Sequence, residues 1–113
     1  MINQNVFTME AGDFMRTNYN ISEISDLVAP VAAKYGVNKV YLFGSRARGT
    51  SNENSDYDFM ISKGALRGLQ FMDFIFDLED IFKTHIDVIL DTDKTCYALD
   101  SAIKDGILIY ERQ

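Results

Sequence analysis

The sequence predicts a mixed α/β (α+β) fold, a small mixed β-sheet flanked by helices. Short apolar runs that suit strands, at residues 37–43, 56–62, 86–90 and 107–110, are interleaved with longer stretches whose apolar residues recur at helical spacing. The chain has 113 residues, of which 47% are hydrophobic and 25% charged, enough for one domain with its own core and no disulfide staples. No internal repeat, linker or low-complexity tract divides it.

Residues 1–20 are expected to form an N-terminal extension. Phe7, Met9, Phe14, Met15 and Tyr19 give it more apolar weight than a tail needs, but follow no period. The reading is an arm that packs on the domain, with a partner-docking arm as the alternative. Residues 20–35 read as a helix, because Ile24, Leu27, Val28, Val31, Ala32 and Tyr35 repeat at helical spacing. Asn20 with Glu23, or Ser22, caps its start and Gly36 suits its stop. Pro30 removes an internal hydrogen bond and clashes with the preceding turn, so a kink or two short helices are expected there.

Residues 37–43 form the first strand and run into Gly44-Ser45. Residues 50–55 contain no apolar side chain and read as a mobile, solvent-facing loop. Residues 56–62 form the second strand. The longest helix is expected over 66–82, with Phe71, Phe74, Ile75, Leu78, Ile81 and Phe82 as a core stripe and Asp73, Asp77 and Asp80 as a solvated face. Gly68 weakens its first turn, so the helix is allowed to begin a turn later. Residues 86–90 are the third strand. Tyr97, Leu99, Ala102 and Ile103 then suggest a short helix closed at Gly106, and residues 107–110 a last extended segment.

The chemistry concentrates between the first and second strands. Asp56 and Asp58 are two residues apart on a strand, so they share a face at roughly 7 Å between Cα atoms, while Tyr57, Phe59 and Ile61 turn to the core. Two aligned carboxylates repel each other and resist burial unless something neutralises them. A divalent cation does so, and Asp oxygens suit hard Mg²⁺. Gly44 permits a tight turn at the strand end. Ser45 opens a short Ser-Arg-Ala-Arg turn whose N–H groups form an anion cradle. Phosphates held there and cations held by the acids describe a nucleoside triphosphate site. Asp87, the lone acid in Ile86-Asp87-Val88-Ile89-Leu90, is the candidate third carboxylate of a two-metal arrangement. An EF-hand reading of Asp56-x-Asp58 fails, because Ile61 stands where that loop needs Gly and Arg67 where it needs Glu. His85 shares a strand face with Asp87, but a lone histidine is more often a surface residue and it receives no role. Cys96 reads as a small apolar side chain.

Gly44-Ser45, ten residues, Asp56, one residue, Asp58 and a later strand Asp together resemble the signature of the nucleotidyltransferase superfamily that includes DNA polymerase β and the aminoglycoside nucleotidyltransferases. Length and flanks look most like the minimal nucleotidyltransferase (MNT) domain, here assigned to residues 21–113. The resemblance implies a polymerase β-like nucleotidyltransferase fold and transfer of a nucleoside monophosphate from a triphosphate to a hydroxyl. It implies two Mg²⁺ ions, with Asp56 and Asp58 bridging or binding both and Asp87 binding the one nearest the acceptor. Gly44 and Ser45 would hold the β- and γ-phosphates. Arg46 and Arg48 each fit either the triphosphate or an ordinary ion pair, and the resemblance favours Arg48. Chains of this size resemble the antitoxins of MNT–HEPN toxin–antitoxin pairs, which implies transfer of AMP from ATP to a tyrosine of a HEPN ribonuclease toxin.

Nothing in the sequence is left over for a separate acceptor domain, so the acceptor pocket is expected to be shallow, shared with a second subunit in a homo-oligomer, or supplied by a protein acceptor. The competing readings are a module that masks its partner without turnover, and transfer to a small molecule. The net charge of −6 argues against free DNA or RNA as a direct partner. The one cysteine excludes an internal disulfide, no apolar run has membrane-spanning length and the N-terminus has no leader pattern, all of which is expected of a cytoplasmic protein.

Overall fold

A computed structural model describes residues 18–52 and 54–113. The first seventeen residues, and with them most of the expected extension, lie outside the described part. Helix α1 spans Ile21–Tyr35. Asn20 and Glu23 close a reciprocal capping box, the Glu23 N–H donating to Asn20 Oδ1 at 2.8 Å and the Asn20 N–H to Glu23 Oε1 at 3.0 Å. Gly36, at φ 71°, ends the helix in the left-handed conformation that its missing Cβ permits. The two short helices offered as an alternative at Pro30 do not occur, since one helix of 15 residues runs through it. Pro30 and Asp26, whose carbonyl loses its donor, are both exposed, while Ile24 and Val28 before the proline and Val31 and Ala32 after it are buried. Packing on both sides offsets one missing hydrogen bond at a wet surface.

The four strands are β1 (Lys39–Phe43), β2 (Tyr57–Ser62), β3 (Ile86–Leu90) and β4 (Ile107–Glu111), in the sheet order β3-β2-β1-β4. β1 pairs antiparallel with both β2 and β4, whereas β2 and β3 are parallel, so the sheet is mixed as predicted. Parallel pairing needs a crossover, and α3 (Gln70–Phe82) supplies it. This helix begins at Gln70 rather than at residue 66: Gly68 takes φ 53° in the preceding turns, where Leu66 is nonetheless buried. Two short helices complete the fold, α2 (Gly44–Arg48) after β1 and α4 (Leu99–Asp105) before β4.

The two sheet faces differ. One carries Val40, Leu42, Tyr57, Phe59, Ile61, Ile86 and Ile109 into a core closed by Ile24, Val28 and Val31 of α1 and Phe74, Leu78 and Phe82 of α3. The Phe82 ring centroid lies 4.4 Å from that of Tyr57, and Tyr19 meets Phe82 edge-on at 5.8 Å. The other face has only a small cluster, Phe43 and Met60 under Leu99 and Ala102 of α4. By strand alternation Asp58 belongs to this thinner face with Met60, and Asp87 with Ile89. Of the three helix acids expected to be solvated, Asp77 is not simply so: it accepts hydrogen bonds from Tyr35 Oη at 2.7 Å and Lys34 Nζ at 3.1 Å, joining α3 to α1.

Candidate active site

The site begins where β1 ends. Phe43 is extended and Gly44 turns the chain at φ 73° into α2. A Cβ on Gly44 would overlap the Asp58 carboxylate, so glycine is required both by the turn and by the close approach of the acid. Ser45 follows, and its carbonyl is held by the N–H groups of Gly49 and Thr50. Gly44 therefore lies directly against Asp58, with Ser45 next in the turn.

The two arginines of α2 part company. Arg46 is only 5% exposed. Its Nη2 donates to the Ser55 carbonyl at 2.6 Å and to the Asn52 carbonyl at 3.2 Å, and its Nε to Ser55 at 3.2 Å. Its guanidinium carbon stacks 3.8 Å from the centroid of the Tyr57 ring. Arg46 is thus committed to the polar loop, which is pinned to the core immediately before Asp56. Arg48 is exposed, with Nη1 3.6 Å from Asp105 Oδ2, and its charge also acts on Asp58.

The acids meet because β2 and β3 are parallel. Asp58 and Asp87 are direct register partners, with Tyr57 opposite Ile86, and Asp56 lies just before β2. Asp58 is half-buried, and its carboxyl is pushed up to about 6, first by burial, then by the charge of Asp87 and a hydrogen bond with it, then by Asp56, against the pull of Arg48. His85, to which the sequence assigns no role, joins this edge. Its Nε2 is 2.8 Å from Asp87 Oδ1, and its Nδ1 is 3.8 Å from Glu79 Oε2 on α3. The bond to Asp87 holds the imidazole above its ordinary range. Ligand atoms of Asp56, His85 and Asp87 all lie within 4.8 Å of one another. The signal for His85 was its place two residues before Asp87; what the sequence lacked was Asp56 coming to the same spot from the segment just before β2.

A divalent cation fits this donor set. Three carboxylates converge, one of them keeping its proton well above the usual carboxylate range, and among the described residues no lysine or arginine lies within ion-pair distance of Asp56, Asp58 or Asp87. Hard oxygen donors with no lysine or arginine paired to them suit Mg²⁺ or a similar ion.

A glycine turn packed on a strand acid, a second acid before it and a third on the parallel neighbour make up the architecture of a nucleotidyltransferase. The chain belongs to the polymerase beta nucleotidyltransferase family, whose model matches residues 27–113. It is 32% identical over 92 residues to a Methanocaldococcus jannaschii protein named "Putative protein adenylyltransferase", covering 79% of this chain and 91% of that one. Solved structures share the fold. A chain of a toxin–antitoxin crystal structure with AMP-PNP superimposes with a TM-score of 0.66 at 18% identity, over 79% of this chain and 74% of that one. A chain of a mutant toxin–antitoxin MntA-HpeT gives 0.61 at 16% identity, over 84% and 75%.

Proposed function

We propose that this protein transfers AMP from ATP to a hydroxyl of a protein acceptor, a tyrosine of a partner HEPN toxin, and so acts as an antitoxin. The observation that carries the chemistry is the register pairing of Asp58 with Asp87, with Gly44 packed against Asp58 and Asp56 beside them. The acceptor class rests on the name of the Methanocaldococcus jannaschii relative, and the antitoxin role on the toxin–antitoxin structures that share the fold. Residues 21–113 are taken as the transferring unit, working in the cytoplasm where ATP is at hand.

In this reading Asp56, Asp58 and Asp87 would hold two Mg²⁺ ions, which when bound neutralise charge on the acceptor oxygen and on the triphosphate. Gly44 and Ser45 direct backbone N–H groups at the β- and γ-phosphates, and Arg48 adds positive charge beside them. Asp87, next to the acceptor, takes the hydroxyl proton. The acceptor oxygen bonds to the α-phosphorus in line with the departing β-phosphate, the bridging P–O bond breaks, and pyrophosphate leaves with its electron pair.

The test is intact-mass measurement of the neighbouring gene's product after incubation with this protein, ATP and Mg²⁺, beside an Asp56→Asn/Asp58→Asn control. A gain of one or more AMP units that the control lacks is the expected result. A stable complex with no gain from any of the four NTPs would overturn transfer in favour of masking.

A further inference from the structure

We propose that His85 is a direct ligand of the acceptor-side cation, so that Asp56, His85 and Asp87 form a mixed oxygen and nitrogen site that selects Mn²⁺ or Co²⁺ over Mg²⁺. The inference rests on the reading of this edge as the transfer site and names the metal chemistry that edge prefers.

The geometry is suited to it. Adjacent donors on an octahedral ion with bonds of about 2.1 Å stand about 3.0 Å apart, and opposite ones about 4.2 Å. His85 Nε2 and Asp87 Oδ1 are 2.8 Å apart, and the whole donor group of Asp56, His85 and Asp87 spans no more than 4.8 Å. Shifts of a few tenths of an ångström in exposed side chains would close it around one ion. The ring also has an outer partner, since Glu79 Oε2 lies 3.8 Å from Nδ1. The hydrogen bond to Asp87 places Nε2 among the acids; an entering cation would displace its proton there, while Glu79 faces Nδ1 on the other side of the ring. An imidazole nitrogen adds affinity for borderline ions and little for Mg²⁺, which prefers oxygen. The remaining position, around half-buried Asp58, keeps oxygen donors alone and stays a Mg²⁺ site.

The experiment uses the full chain loaded with Mn²⁺, without nucleotide or acceptor. Electron spin-echo modulation is expected to show a directly bonded ¹⁴N nucleus that His85→Gln abolishes. That variant is expected to weaken Mn²⁺ and Co²⁺ binding by about 10- to 100-fold while moving Mg²⁺ affinity less than about 2-fold. His85 is exposed, so an unchanged melting temperature in the variant confirms that the fold is intact. Absence of ¹⁴N coupling in the parent protein overturns the proposal. Equal losses for Mg²⁺ and Mn²⁺ overturn it too, because His85 would then only orient Asp87. Should the ¹⁴N signal appear but AMP transfer fail, the cation site stands and the transfer reading falls. AMP transfer without the signal leaves the transfer reading standing and removes His85 from the cation.

Discussion

On the helical side of the molecule Asp77 accepts hydrogen bonds from Tyr35 and Lys34, and its carboxyl is held below the ordinary carboxylate range, chiefly by the Tyr35 bond. At the sheet edge Asp58 is half-buried beside another acid, and burial pushes its carboxyl up to about 6. One side chain has its charge satisfied by the fold; the other has its charge opposed by burial and by the acids beside it. The contrast separates a carboxylate that stabilises the protein from one that the protein accommodates at a cost, which is the physical mark of a functional group.

The sharpest way to break the comparison is Asp58→Asn. AMP transfer is expected to fall to background in the mass assay. The metal-free variant should meanwhile be more stable than the parent at pH 7, by about 1 to 2 kcal/mol in urea melts after discounting a half-exposed group for solvent screening. A loss of stability would mean that Asp58 is satisfied like Asp77.

Arg46→Ala is next. It leaves the carbonyls of Asn52 and Ser55 without their buried donor and removes the stack on Tyr57, so about 2 to 4 kcal/mol should be lost. Arg48→Ala, at an exposed ion pair, should cost less than about 1 kcal/mol. Urea titration of the two variants side by side checks the difference.

The pH dependence of the metal-free protein then separates the two acids by sign. Asp58 has a folded value of about 6 against an ordinary 3.8, so the folded state binds the extra proton between these limits and stability falls as pH rises from about 4 to about 6. Saturating Mn²⁺ or Mg²⁺ should reverse the fall, and Asp58→Asn should erase it. Asp77 is shifted the other way. Its contribution is present above the unfolded value and is lost as pH drops through the lower folded one, a loss that Asp77→Asn should remove. The smallest effect is Tyr35→Phe, which deletes the 2.7 Å bond to Asp77 and should lower stability only slightly in the same melts, with AMP transfer unchanged.

Much of this was legible in the sequence. The spacing of Asp56 and Asp58 and the lone acid of residues 86–90 identified the converging carboxylates, since period-2 alternation puts them on a definite face. The Asn20 and Glu23 cap and the stop at Gly36 were readable for the same reason, being local. What escaped depends on distant partners. Pro30 signals a break, and only burial on both sides of it shows why the helix continues. Arg46 and Arg48 look alike in sequence, yet only Arg46 has the Tyr57 ring beneath it and the loop carbonyls of Asn52 and Ser55 beside it. Asp77 reads as one more surface acid until α1 brings Tyr35 over it. His85 acquires a setting only once β3 lies parallel to β2.

That parallel pairing has a temporal side. Hairpin neighbours such as β1 and β2 can meet early, but Asp58 and Asp87 become neighbours only after α3 has formed and docked over the sheet. During synthesis Asp56 and Asp58 leave the ribosome before Asp87, so a chain still lacking β3 has not brought the three acids together. The crossover thus makes the meeting of the acids a late event: Asp58 has no register partner until β3 is in place.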